Sequence, residues 1–277
     1  MALFGLFNKS KNNGGEMSFW GHIEALRGHI IRSVIVVLTL AVVLFCYPEF
    51  LFDTVIFGPL NSDFLTYRAF CKLSHLLNLG DQLCFGHYTF KLQSLGLSDQ
   101  FTSQMWISFI GGLLIGAPYL LWEVWRFIKP ALHDKEKNAS VGFIISATFL
   151  FISGVLFSYY IIIPLTVNFL GTYQVSTRIE NNFTMDSYIS TVTTLTLAAG
   201  IVFELPVLVY FLSKFGLITP EFMRKYRKHA VVVILVVAAV ITPSPDITSQ
   251  LLVAFPLYFL YEVSIFVSRF VVKKRAQ

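Results

Sequence analysis

The sequence predicts an all-α membrane protein with six transmembrane helices, both termini on the cytoplasmic side, and short fifth and sixth spans. Three observations predict it. Hydrophobic residues make up 55% of the 277, only 13% are charged, and the mean hydropathy is +0.67. A soluble domain carries about 25% charged residues, so this chain has too few to cover a water-facing surface. Its apolar residues gather in six runs, and its basic residues fall in blocks between alternate runs. Composition excludes a soluble enzyme and a disordered chain. A net charge of +5 would suit nucleic acid only if the cations shared one soluble face, and they do not.

Taken in order, residues 1–16 read as a flexible polar tail with no cleavable signal sequence, because only a very short apolar stretch precedes an Asn/Gly/Lys linker. The spans are about 30–47, 101–122, 141–163, 188–212, 230–241 and 251–267. The first four approach or exceed the roughly 20 helical residues that cross a 30 Å core. The fifth covers only about 18 Å and cannot cross an unthinned core upright. Residues 17–272 read as one membrane domain and 273–277 as a basic tail.

The connections set the orientation. Lys9, Lys11, Arg27 and Arg32 precede or enter the first span; Arg126, Lys129, Lys135 and Lys137 follow the second. Lys214, Arg224, Lys225, Arg227 and Lys228 follow the fourth, and Arg269, Lys273, Lys274 and Arg275 close the chain. Against these seventeen, the opposite side holds Arg68, Lys72, Lys91 and Arg178. By the positive-inside rule both ends are cytoplasmic.

Ionisable groups inside spans come next. Glu204, in Val202-Phe203-Glu204-Leu205-Pro206, lies close to the midplane of the fourth span. A charged acid there costs about 2.5–3.5 kcal/mol on insertion scales. Pro206 has no N–H to offer the carbonyl of Val202. A hydrated groove or a protein contact suits such a carboxyl; a protonated acid bonded inside the bundle is the other reading. Glu262 fits helix packing or snorkelling. Gly111, Gly112 and Gly116 resemble a small-residue packing surface, and Trp20, Trp122 and Trp125 fit an interfacial aromatic belt. No metalloprotease, nucleophile-elbow, phosphate-loop or dinucleotide pattern is present. The chain reads as no enzyme, with no cofactor and no metal.

Four patterns in order resemble the TatC family, the polytopic subunit of the twin-arginine protein translocase. His22-Ile23-Glu24-Ala25-Leu26-Arg27 resembles the family's amphipathic opening. Ala117-Pro118 through Trp125, Phe127 and Pro130-Ala131-Leu132 to Glu136 is similar to its first cytoplasmic loop. Phe203-Glu204-Leu205-Pro206 looks like its F-E-x-P. Thr242-Pro243-Ser244-Pro245-Asp246 with Ser249-Gln250 looks like its T-P-x-P-D and S-Q. The likeness runs from about residue 17 to 272. It departs at Ala25, where the family has an acid, and at His29, where it has a second basic residue.

The resemblance implies a receptor for signal peptides bearing paired arginines, with His22, Glu24, Arg27, Phe127, Leu132 and Glu136 as the binding residues. While the short fifth span and the brief TPSPD turn after it make a thin edge that docks partner helices, with Thr242 and Gln250 as polar contacts, the resemblance implies Pro59, Tyr159, Pro164, Pro206 and Asp246 as structural positions. It also implies an oligomeric complex with single-span TatA-type or TatB-type proteins in the bacterial inner membrane, exporting folded cargo on the proton-motive force. The partners are then lipid, signal peptides and these subunits, with no nucleic acid. Two other classes stay open: a proton-coupled small-molecule transporter using Glu204, and a membrane scaffold. Cys71 and Cys84 are expected to form a disulfide across the long loop between the first two spans, on the side poor in basic residues. Free thiols, or a zinc site with His75 and His87, are the alternatives.

Overall fold

The computed structural model describes residues 19–76, 80, 84, 92–129, 140–176, 181–241 and 247–275. The residue 1–16 tail, the side chain of His22, and Leu132, Glu136, Thr242 and Asp246 lie outside the described residues.

Among the described residues ten helices carry the fold: α1 (Phe19–Phe45), α2 (Leu65–Leu76), α3 (Asp99–Ile128), α4 (Ser140–Phe157), α5 (Ile163–Thr172), α6 (Met185–Phe203), α7 (Leu205–Lys214), α8 (Pro220–Lys225), α9 (Arg227–Ile241) and α10 (Ile247–Arg275). Two short strands, β1 (Leu92–Gln93) and β2 (Phe183–Thr184), pair in parallel. Among the described residues five stretches are long and apolar enough to cross a membrane: Ile23–Phe45, Asp99–Ile128, Ile144–Thr172, Met185–Lys214 and Gln250–Lys273. The 15 residues of α9 reach about 22 Å, below a full core thickness. The sixth apolar run is not short. It is the middle of the 29-residue α10, which continues through Arg269 and Lys273 to Arg275 in the segment read as a tail. Charge ends a hydropathy run without ending a helix, since long cationic side chains reach the interface from a turn or two inside.

Helix termini follow local chemistry. Thr184 caps α6 by accepting from the Ser187 N–H at 3.2 Å, and Thr219 caps α8 by accepting from the Phe222 N–H at 3.2 Å. Gly216, at φ 77°, closes the turn after α7 in a left-handed conformation that suits glycine. A π-helical turn at Ser158–Ile162 joins α4 to α5. Pro164 follows it and has no N–H for the carbonyl of Tyr160; the hydroxyl of Thr66 donates there instead.

That bond belongs to a cap over the end of the bundle away from most basic residues. The cap is built from a π-helical turn (Phe50–Ile56), a 3₁₀ turn (Gly58–Leu60) and α2. Tyr159 donates to the Val55 carbonyl at 2.7 Å and Tyr188 to the Ile56 carbonyl at 2.7 Å. Tyr67 donates to the Pro59 carbonyl at 2.9 Å, with the Pro164 carbonyl 3.3 Å away. Pro59, Tyr159 and Pro164 thus meet in one lock. Cys71 on α2 is disulfide-bonded to Cys84, with Cα atoms 4.3 Å apart. The loop it closes is worth about 3 kcal/mol in the chain-entropy description.

Within the bundle α1 lies along α3, α4 along α6, and α7 and α9 along α10. A close approach of α1 and α3 is at Gly112, where a Cβ would stand 2.8 Å from the Val37 carbonyl and from the Ala41 backbone nitrogen. Ser213 and Ser268 share a buried 2.7 Å hydrogen bond between α7 and α10. Ile162, Ile163, Ile189 and Val253 are among the most buried side chains. Val42, Phe255 and Val240 expose 63, 74 and 80% of their surface, which lipid accommodates and water does not.

Two outcomes test this packing. Gly112→Val should lower thermal stability in detergent by about 1–3 kcal/mol through overpacking, while Gly142→Ala, within α4 and with nothing within 4 Å, should leave stability equal or slightly raised. Thiol alkylation of the oxidised protein should label Cys46 alone, and all three cysteines once reduced. Two further thiols labelled before reduction would rule the bridge out.

Candidate functional site

The site forms where the basic residues gather, at the start of α1 and the end of α3. No break separates the amphipathic opening of α1 from its apolar length, so one stripe faces α3 throughout. Ala25, Gly28 and His29 on this stripe are partly buried, while Glu24, Leu26 and Arg27 are exposed. On α3, Tyr119, Glu123 and Arg126 recur at i, i+4 and i+7 and share a face.

The two faces meet at Glu123, which is 1% exposed. Its Oε1 accepts from Tyr119 Oη at 2.8 Å, Arg32 Nε at 3.1 Å and Arg126 Nη1 at 3.5 Å. Its Oε2 contacts His29 Nδ1 and accepts from Arg32 Nη2 at 3.4 Å. A carboxylate offers about four lone-pair sites, so this one is saturated by its own chain. Arg126 lies over the Trp122 ring at 4.9 Å. Both guanidiniums remain 45% exposed, so they keep part of their hydration while the acid keeps none. Phe127 packs its ring against His29, centroids 6.2 Å apart, and Trp125 packs on Phe211 of α7.

The structure therefore joins two of the predicted segments, the α1 opening and the loop-side end of α3. Glu24 and Arg27 are exposed and make no ion pair among the described residues. Phe127 is partly buried at the joint. Gln250 donates its amide to the Leu235 carbonyl at 3.0 Å, tying α10 to α9. Glu262 accepts from Arg227 at 2.6 Å and from Tyr258 at 3.1 Å, a second link between those helices. Glu204 sits at the break between α6 and α7, beside the buried Pro206, with its N–H on the Ile201 carbonyl at 3.1 Å. Neither of its carboxyl oxygens has a hydrogen-bond partner among the described residues.

A second apolar run that ends at Trp122 leaves Glu123 outside the span and hides it as a site residue. The available signal was an acid in Trp122-Glu123-Val124-Trp125, four residues after Tyr119 and three before Arg126. Nothing in the linear sequence says that His29 and Arg32 come to meet it.

Long apolar helices, lipid-compatible flanks and polar joints confined to helix contacts define a multi-pass helical membrane protein. The family model described as Sec-independent protein translocase protein (TatC) matches residues 21–256. The TatC of Blattabacterium sp. subsp. Periplaneta americana is 41% identical over 96% of this chain and 100% of its own length. That of Carboxydothermus hydrogenoformans is 31% identical over 93% of this chain and 95% of its own. A crystal structure described as the twin arginine translocase receptor TatC, in the detergent DDM, superposes with a TM-score of 0.68 at 32% identity, covering 90% of this chain and 99% of that one. The chain belongs to the TatC family of Sec-independent protein translocase subunits.

The cluster makes an asymmetric prediction. Glu123→Ala removes the one buried acceptor shared by four side chains, leaving the partly buried His29 and Tyr119 without it, and should cost about 1–3 kcal/mol. Arg32→Ala leaves the carboxylate with three donor side chains and should cost less than about 1 kcal/mol. Thermal unfolding at fixed detergent concentration checks the order; Arg32→Ala proving the more damaging would refute it.

Proposed function

We propose that this chain is the signal-peptide receptor and core subunit of a twin-arginine translocase in a bacterial inner membrane. In this reading six helices cross the membrane with both ends cytoplasmic, and α9 crosses where the membrane thins. The complex exports folded proteins on the proton-motive force, together with TatA-type and TatB-type single-span subunits. The observation that carries the reading is the joint just described, in which the exposed Glu24 stands on a helix whose stripe is bound to the end of α3. Glu24 and Glu136 are the acids we assign to the peptide's guanidiniums, with His22, Arg27, Phe127 and Leu132 around them.

Energetics divide the work. Exposed ion pairs contribute about 0–1 kcal/mol each, whereas micromolar binding needs about 8 kcal/mol. Burial of the signal peptide's apolar segment, at about 0.8 kcal/mol per CH₂, therefore supplies most of the affinity, and the acids select. The test is capture of a twin-arginine peptide against its twin-lysine version. Preference for arginine supports the reading, and equal capture of both overturns it. Glu136→Lys should abolish capture of the arginine peptide while leaving the protein inserted.

Glu204 has a separate proposed role, supported by its unpartnered carboxyl at a helix break. It faces a groove open to water or to a partner helix. Export should tolerate Glu204→Gln better than Glu204→Leu if hydrogen bonding is what matters. Export insensitive to Glu204→Leu would remove the residue from the mechanism. Thr242 and Gln250 belong in this reading to a partner-helix edge; cysteines at those positions should cross-link to a single-span partner, and cross-linking only at the first two spans overturns the placement.

A further inference from the structure

We propose that Glu123 is a positioning residue for signal-peptide selection: held by His29, Arg32, Tyr119 and Arg126, it sets the rotation and register of the α1 opening against the end of α3, and with them the presentation of Glu24. This rests on the receptor reading above.

Three features carry it. First, α1 finds its packing partner chiefly in α3 and is otherwise exposed along its apolar length. Lipid supplies no hydrophobic force between helices, so close packing and polar contacts must set the register. Gly112 provides the close packing midway along α1, and Glu123 provides the polar contact toward its opening. Second, Glu24 is five residues before His29, which places it about 140° around the helix and roughly 7.5 Å along it. A small rotation of α1 at His29 is therefore passed directly to Glu24. Third, Glu123 is 1% exposed and its acceptor sites are filled. An incoming guanidinium finds no place on it, so its influence passes through the residues it holds. It also offsets the charge of Arg32 and Arg126, which would otherwise repel a cationic peptide approaching the joint.

The experiment uses the full chain in detergent, with fluorescence anisotropy of a twin-arginine peptide and of its twin-lysine version. Wild type, Glu123→Gln and Glu123→Asp are compared, each with a thermal unfolding curve. Glu123→Gln should lower affinity for the arginine peptide about five-fold, the size of one lost exposed pair, and change affinity for the lysine peptide less than about two-fold. Glu123→Asp, which keeps the charge, should recover part of the preference. A general loss of folding would lower both affinities together, and that pattern overturns the proposal. If Glu123→Gln does not fold, His29→Asn reads the same register from the other helix, with a smaller loss of arginine preference expected and an unchanged preference overturning the proposal. A wild type that prefers arginine beside a Glu123→Gln protein that prefers it equally overturns the positioning role alone. A wild type without preference overturns the receptor reading, and this proposal with it.

Discussion

A polar group among hydrocarbon chains has no water to turn to, so a partner within the same chain matters most there. Glu123 is the sharpest case. Four side chains from two helices converge on its carboxylate. Elsewhere on α1, packing against α3 relies on the narrow approach at Gly112. One contact sets how near the helices come, and the other sets how they are turned. Together they place the opening of α1 beside the end of α3, the arrangement on which the proposed receptor depends.

The same constraint explains the opposite end. Pro164 cannot donate to the Tyr160 carbonyl, and Thr66 from the cap does so. Tyr67, Tyr159 and Tyr188 each bring a hydroxyl to a carbonyl in the turns between residues 55 and 59. Aromatic bodies pack in the apolar layer while their hydroxyls satisfy irregular backbone. The disulfide between Cys71 and Cys84 then restrains the loop beyond α2. A short, irregular cap is thereby held on the bundle by a handful of side-chain bonds.

Glu204 stands apart from both ends. It occupies a break at Pro206, and among the described residues neither carboxyl oxygen has a hydrogen-bond partner. An acid left in that condition within a helical bundle is costly, and a partner or water at the break would relieve that cost. Gln250 shows the reverse. Its polar amide looks available in sequence, yet it is engaged with the Leu235 carbonyl of the neighbouring helix.

The sequence by itself determined the class of protein and the positions of its long helices, because hydrocarbon selects uninterrupted apolar runs and a run is a local property. It determined the break at Glu204 for the same reason, since a missing N–H is written in the proline itself. It located the joined segments in His22 to Arg27 and in the stretch through Phe127, though only as separate motifs. Only the tertiary structure decided that Glu123 is buried and bound, that α10 runs on past its last apolar residue, and that Gln250 serves a neighbouring helix. Each of these depends on which face of one helix meets another. That relation is set by pairs such as His29 and Glu123, 94 residues apart, and no local pattern records it.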